Sequence, residues 1–527
     1  MSMPASENKS ASPLPPFRAI GELLHEHAAA RPRHTALVQG TRRVTWMQLD
    51  AMVDRVAATL QRDGVEPKQA IAISGANSLE YAALFLGGLR AGAAVAPLPT
   101  GATPQQLAGM VADSGAKLFF ADAAVPRLDV AVRRIAMDGV AATPALSHKH
   151  GGSEPVPLQA WLAPEGAQPR PVRPQPDWPF NIIYSSGTTG TPKGIVQPHG
   201  MRWAHMGRAE AGGYGPGSVA LLATSLCSNT TLVCFFPALS RGGTIVLTEG
   251  RFDAAQYLRL AERERATHTM LVPVQYQRVM AHPDFGSFDL SSFVMKFCTS
   301  APFSAELKAD VLARWPGGLT EYYGMTEGGG TCMLAAHEFP HKLHTVGKPA
   351  ENHDIRLVGE DGREVGPGEL GEVVGRSGAM MTCYHNQPGK TREAEWYDGA
   401  GHRFIRTGDV GRFDEDGFLV LMDRRKDMVI SGGFNIYPSD LEAVLRRHPA
   451  VADAAVVGVP SAEWGETPVA FVVAREGAPD EQALRGWANA QLGKTQRLSG
   501  LRYVDELPRS DIGKVLKRQL REQWGAA

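Results

Sequence analysis

Between Phe17 and about Val125, short apolar runs alternate with amphipathic stretches, and this alternation constrains the fold more than any other feature of the chain. "WMQLDAMVDRVAATLQRDGV" spaces Leu49, Met52, Val53, Val56 and Leu60 as one face of a helix and ends at Gly64, as a C-cap would. "QAIAISG" then reads as a buried strand, "SLEYAALFLGGLRAG" as a helix and "AAVAPLP" as a strand again. A β-α-β alternation predicts a mostly parallel sheet flanked by helices. At 527 residues the chain exceeds what one hydrophobic core normally serves, so at least two domains are expected.

Residues 139–178, rich in Pro, Gly and Ala, read as an irregular excursion, after which the alternation resumes with "FNIIYSS" and runs to about residue 350. The texture then changes. "DIRLVGEDGREVGPGELGEVVGRS" and "HRFIRTGDVGRFDEDGFLVLMDR" are strand-like runs joined by DG and PG turns, the mark of antiparallel hairpins. From about Lys426, "DLEAVLRRHP", "VADAAVVGVP", "TPVAFVVAR" and "DEQALRGWANAQLG" read as helix, strand, strand and helix. The expected class is α/β: a large N-terminal domain of α/β subdomains with a small β-barrel-like subdomain, followed by a small, mobile α+β C-terminal domain. Residues 1–16 are expected to be a disordered leader, 17–424 the large domain and 425–527 the small one, with a hinge near Asp423–Lys426.

Composition excludes several classes of function. A formal net charge of −1 leaves no electrostatic footprint for nucleic acid or an anionic membrane. No apolar run approaches the roughly 20 residues that span a bilayer, and the Pro/Ser-rich start lacks the apolar core of a secretory signal. Cys227, Cys234, Cys298, Cys332 and Cys383 are dispersed without a CxxC, which suits a reducing cytoplasm. His341 and His344 form an HxxH pair with no third ligand evident, and they fit better as part of the loop before "VGKPAE".

"YSSGTTGTPKG", Tyr184 to Gly194, follows a strand-like run. Ligands of open α/β sheets sit where strands end, and small residues let backbone N–H groups reach phosphate oxygens while a Lys supplies charge. The same composition also makes linkers, and the spacing is not that of the common GxxxxGK[ST] phosphate loop. On local grounds both readings stand.

"SSGTTGTPKG", "YYGMTEG", "RTGDVGRFDEDGF", "DRRKDMVISGGFNIYPSDLE" and "PRSDIGK" occur in that order. Together they resemble the adenylate-forming superfamily of acyl-CoA synthetases, firefly luciferase and the adenylation domains of non-ribosomal peptide synthetases, over roughly residues 20–520. The resemblance implies that a carboxylate attacks the α-phosphate of ATP to give an acyl-adenylate and pyrophosphate, after which a thiol, usually coenzyme A, displaces AMP. It also implies roles. Thr188, Thr189 and Lys193 would hold the β- and γ-phosphates, Thr326 the α-phosphate, and Glu327 a Mg²⁺ ion, for which a hard oxygen ligand is suited. Tyr323 would stack on adenine with Ser300, Ala301 and Pro302 on its other face, and Asp409 and Arg424 would take the ribose hydroxyls. Lys514 would bridge carboxylate and α-phosphate during adenylation, Lys426 would be the hinge residue, and Gly432 and Gly433 would let the pantetheine chain of coenzyme A pass close to the backbone.

Substrate identity is less legible. Ser228, Asn229, Thr299, Tyr322, Gly324 and Met325 are expected to line the acyl pocket. "TSLCSNTTL" stands where many acyl and aryl ligases carry an aromatic-His pair, "CTSAPF" replaces the more usual "GGAPL", and Tyr322 stands where aryl ligases often have Gly. Residues 221–240 hold no Asp to bind an ammonium group, which disfavours an amino acid. A small-to-medium or aromatic carboxylate is expected. Ile430 replaces a lysine that some relatives carry before "GGF", which bears on the coenzyme A contacts. Alternatives are an enzyme that loads a separate carrier protein, a luciferase-like oxidative enzyme, and a binding protein that kept the fold; the intact set of Lys193, Glu327, Asp409, Arg424 and Lys514 argues against the last. Oligomeric state stays open, a homodimer included.

Overall fold

The computed structural model describes residues 16–138, 155–185, 193–424, 427–431, 434–461, 464–493, 496–510 and 513–525. Thr188, Thr189, Lys426, Gly432 and Gly433 lie outside them, as do residues 1–15 of the expected leader. The chain forms two compact units: Met1–Leu343 with Pro349–Asp354 and Gly375–Ile405, and His344–Lys348 with Ile355–Val374 and Arg406–Ala527.

The first unit is built on the β-α-β alternation read from the sequence. Strands Ala94–Leu98, Ala70–Ser74, Leu118–Ala121 and Arg133–Ala136 lie side by side and parallel, and every residue of Ala70–Ser74 and Ala94–Leu98 is buried. A second sheet runs in the order Gly318–Tyr323, Met295–Cys298, His268–Leu271, Val219–Leu222, Thr244–Leu247, Thr35–Gln39, all parallel.

Helix Trp46–Arg62 starts at a capping box in which Thr45 and Gln48 each accept the other's backbone N–H, and Gly64 at φ 80° follows its end. Helix Leu79–Arg90 packs against it so closely that a Cβ on Gly87 would lie 2.3 Å from Val56 Cγ1; only glycine permits that approach. The excursion after residue 139 is less irregular than its composition suggests. Its described part holds strand Val156–Pro157 and helix Leu158–Trp161, because the buried Trp161 donates to Asp63 at 2.8 Å and Thr59 accepts the Ala163 N–H at 2.8 Å.

In the second unit, strand Arg403–Phe413, most of which belongs here, pairs antiparallel with Leu419–Arg424 around a turn closed by Asp414 and Gly417. Further on, Val451–Ser461 and Gly465–Ala474 form a long antiparallel pair, with Gly500–Tyr503 added in parallel and helices Pro438–Arg446 and Glu481–Asn489 flanking. The fold is mixed α/β with a large N-terminal and a small C-terminal part.

Candidate active site

Strand Pro179–Ser185 pairs antiparallel with Lys193–Pro198, and Ser185 stands opposite Lys193. The Gly/Ser/Thr segment therefore joins neighbouring antiparallel strands. Lys193 Nζ sits over the ring of Tyr384, 5.0 Å from its centroid. The Tyr384 hydroxyl donates to Glu327 Oε1 at 2.7 Å. Burial raises the phenol's pKa, and the Glu327 charge beside it raises it further, so the hydroxyl remains a donor. Tyr384 thus joins the predicted phosphate lysine to the predicted metal ligand, and Glu327 has no cation within ion-pair distance among the described residues.

Thr326 and Glu327 follow strand Gly318–Tyr323 in a loop where Gly328 and Gly329 take φ of 73° and 88°. A Cβ on Gly328 would lie 2.0 Å from the Ala379 carbonyl. A buried amide relay fixes the loop's backbone: Gln197 Nε2 donates to the Thr326 carbonyl at 2.5 Å and to Asn229 Oδ1 at 3.4 Å. Asn181 Nδ2 donates to Gln197 Oε1 at 2.9 Å, and Arg202, fully buried, donates to both Asn181 and Gln197. Burial without a carboxylate partner lowers the Arg202 pKa to about 9.

Of the residues expected at the acyl pocket, Asn229 joins this network by accepting from Gln197. Ser228 caps helix Asn229–Ser240, accepting the Thr230 N–H at 3.2 Å. Thr230 exchanges a 2.6 Å hydrogen bond with Ser300, which holds φ 83°, a left-handed conformation that non-glycine residues seldom adopt outside constrained sites. Ala301 and Pro302 follow it. Thr299 Oγ1 donates to the Tyr322 carbonyl at 2.8 Å, and the Tyr322 ring stacks on Phe297 at 5.6 Å. Tyr323 ends its strand opposite Cys332, and Gly324 is exposed beside it. Met325 faces elsewhere: it packs with Ile195, Met381 and Tyr384.

In the second unit Asp409 and Arg424 are directly opposite on paired strands, so the two ribose candidates share one place. The Asp409 N–H donates to Thr407 Oγ1, whose own hydroxyl donates to the Val373 carbonyl. Lys514 precedes rather than begins the last helix, Lys517–Gly525. Gly513 at φ 76° and the Ser510 bonds to both the N–H and the carbonyl of Lys514 hold it in a turn. His341 and His344 lie in an exposed loop; no cluster of three or more metal-ligating side chains occurs among the described residues.

Gln197, Tyr384 and Arg202 were not among the residues singled out by sequence. A polar Gln inside the apolar strand "KGIVQP" is a signal that could have found the first; nothing local marks Tyr384.

Residues 24–385 match the AMP-binding enzyme family and residues 440–514 its C-terminal domain. The chain belongs to that family. It is 33% identical over 515 residues to a feruloyl-CoA synthase of an Amycolatopsis species, covering 96% of this chain and 99% of the relative. It is 32% identical to the indoleacetate–CoA ligase of Aromatoleum aromaticum, over 95% and 98% of the two chains. The solved o-succinylbenzoate CoA synthetase of Bacillus subtilis, in complex with its acyl-adenylate intermediate, superposes with a TM-score of 0.81 at 26% identity, over 95% of this chain and 97% of that one.

Proposed function

We propose that this chain couples a small-to-medium or aromatic carboxylic acid to coenzyme A. It is an ATP-dependent carboxylate–CoA ligase that forms an acyl-adenylate and pyrophosphate, then exchanges AMP for the thiol. Family membership carries the reaction class, and the named relatives act on aromatic acids. The single observation that carries the site is the Lys193–Tyr384–Glu327 arrangement, a cation and a carboxylate held by one tyrosine.

Carboxylate and triphosphate repel, so positive charge must be present before they can react. Lys193, with Thr188 and Thr189, orients the departing pyrophosphate. Thr326 contacts the α-phosphate from a backbone fixed by Gln197. Glu327 is a hard oxygen ligand without a cationic partner among the described residues and so suits Mg²⁺, which when bound neutralises phosphate charge. Tyr323 and Ser300–Pro302 flank adenine; Asp409 and Arg424 hold the ribose. Gly432 and Gly433 pass the pantetheine arm, and the division at Asp423–Lys426 allows the small domain to serve each half-reaction in turn. No helix among the described residues is long and apolar enough to cross a membrane, and the five cysteines are unpaired, which favours the cytoplasm.

Lys514→Ala tests the division of labour. Loss of one charge-stabilising donor costs about 3–4 kcal/mol, or 10²–10³ in rate. Adenylation should fall by that factor, while thioester formation from supplied acyl-adenylate survives. Equal loss in both half-reactions would contradict the role.

A further inference from the structure

Beside the predicted acyl pocket lies a group of basic side chains with no acid among them. Helix His199–Gly207 and its C-cap carry Arg202, His205 and Arg208 along one side, and His353 meets Arg208 from a segment 145 residues away. No Asp or Glu among the described residues pairs with any of the four. Arg208 is also an electrostatic neighbour of Tyr322. Thr331, which anchors His353, lies against Gly324: a Cβ there would come within 3.4 Å of Thr331 Oγ1. Two residues expected at the acyl pocket therefore border the cluster.

The hydrogen-bond chemistry of the cluster is incomplete. The Thr331 N–H donates to His353 Nδ1 at 2.9 Å, so a neutral ring carries its proton on Nε2. Burial, with Arg208 beside it, lowers the His353 pKa to about 3, so the ring is neutral. Nε2 is also the atom that Arg208 Nη2 touches. Two donors thus face each other with no acceptor between them. The remaining Arg208 donors and the Tyr322 hydroxyl make no hydrogen bond to a described residue, and buried His205 Nδ1 has no partner. Buried polar groups are ordinarily satisfied, and a donor left unpaired destabilises the fold. Every unspent group here except His205 Nδ1 offers a proton; what the cluster lacks is an anionic oxygen.

We propose that Arg208, His353 and Tyr322 form the distal end of the acyl pocket and bind a second carboxylate, so that the preferred substrates are acids bearing a carboxylate remote from the one activated. This rests on the ligase reading above and names the substrate class for that site. A carboxylate offers about four lone-pair positions and can accept from guanidinium, imidazole and phenol together.

The test compares, with ATP and coenzyme A, a ladder of aliphatic and aryl dicarboxylic acids with the length-matched monocarboxylic acids and with the monomethyl esters of the same diacids. At its best length the diacid should exceed its monoester by about tenfold or more in kcat/KM, the worth of a hydrogen bond to a charged group. Arg208→Gln should collapse that ratio and Arg208→Lys restore part of it. Monoacids or monoesters matching or exceeding the diacid at every length, or a ratio unmoved by Arg208→Gln in a variant whose thermal unfolding is native-like, would overturn the proposal. If the variant does not fold, the wild-type ladder alone decides. AMP formation with monoacids but no diacid preference overturns this proposal alone; no AMP with any acid overturns the ligase reading, and the proposal with it.

Discussion

Arg90 and Arg208 each stand at the C-terminal end of a helix in the first unit, and both are partly buried. Around Arg90 the fold supplies everything a guanidinium needs: Asp50 at 2.6 Å, Asp54 at 2.7 Å and the carbonyls of Gly21 and Asp50. Around Arg208 it supplies a histidine whose facing nitrogen is also a donor. The first cation completes a structural network joining three helices. The second is left for something that arrives, and charge placement therefore separates scaffold from site more sharply than burial does.

The comparison can be broken at either end. Arg90→Met leaves two carboxylates facing each other at 12% exposure, and orphaning buried charges costs about 3–5 kcal/mol. Denaturant unfolding should show a loss of that size; a loss below about 1 kcal/mol would remove the contrast.

The histidines give a second handle. Burial lowers the pKa of His199 and His268 from 6.5 to about 4 and of His353 to about 3, and it lowers that of His205 with help from Arg202. Between pH 6.5 and 4 the unfolded chain takes up protons that the folded one refuses, so stability falls as pH drops through that window, by on the order of 2–3 kcal/mol for each histidine held neutral. Unfolding followed across it should steepen toward acid, and His199→Gln should flatten the profile. A profile unchanged by that substitution would mean His199 is not held neutral.

Tyr384→Phe keeps the ring under Lys193 and removes the hydroxyl from Glu327. A hydrogen bond to a charged acceptor is worth about 1.5–3 kcal/mol, so kcat/KM should fall by about 10–100-fold, with a raised Mg²⁺ requirement. A fall that does not respond to Mg²⁺ would place Tyr384 outside the metal's support. Smallest is Arg208→Met without substrate: no partner is orphaned, so stability should change by about 1 kcal/mol or less. A loss as large as that at Arg90 would make Arg208 structural.

The frame of the first unit was legible because a strand buried on both faces and a helix buried on one leave periodic signatures, as in "QAIAISG" and Leu49 to Leu60. Thr326, Glu327 and Ser300 were reached through motifs. Tyr384 and Gln197 were not, because each acts on a residue more than fifty positions away; a Gln inside an apolar strand hints at the second, but nothing local marks the first. Lys514 was reached through its motif, but the turn that holds it, with Gly513 at positive φ ahead of helix Lys517–Gly525, was not. Arg208 and His353 meet only through the tertiary fold, and a missing carboxylate leaves no trace in a sequence.

The central claim is ATP-dependent ligation through an adenylate, and AMP release is its most direct measure. With ATP, Mg²⁺ and a panel of aliphatic, aryl and dicarboxylic acids, active acids should form pyrophosphate without coenzyme A and release AMP rapidly only when it is added. AMP release that ignores coenzyme A for every active acid would contradict the account.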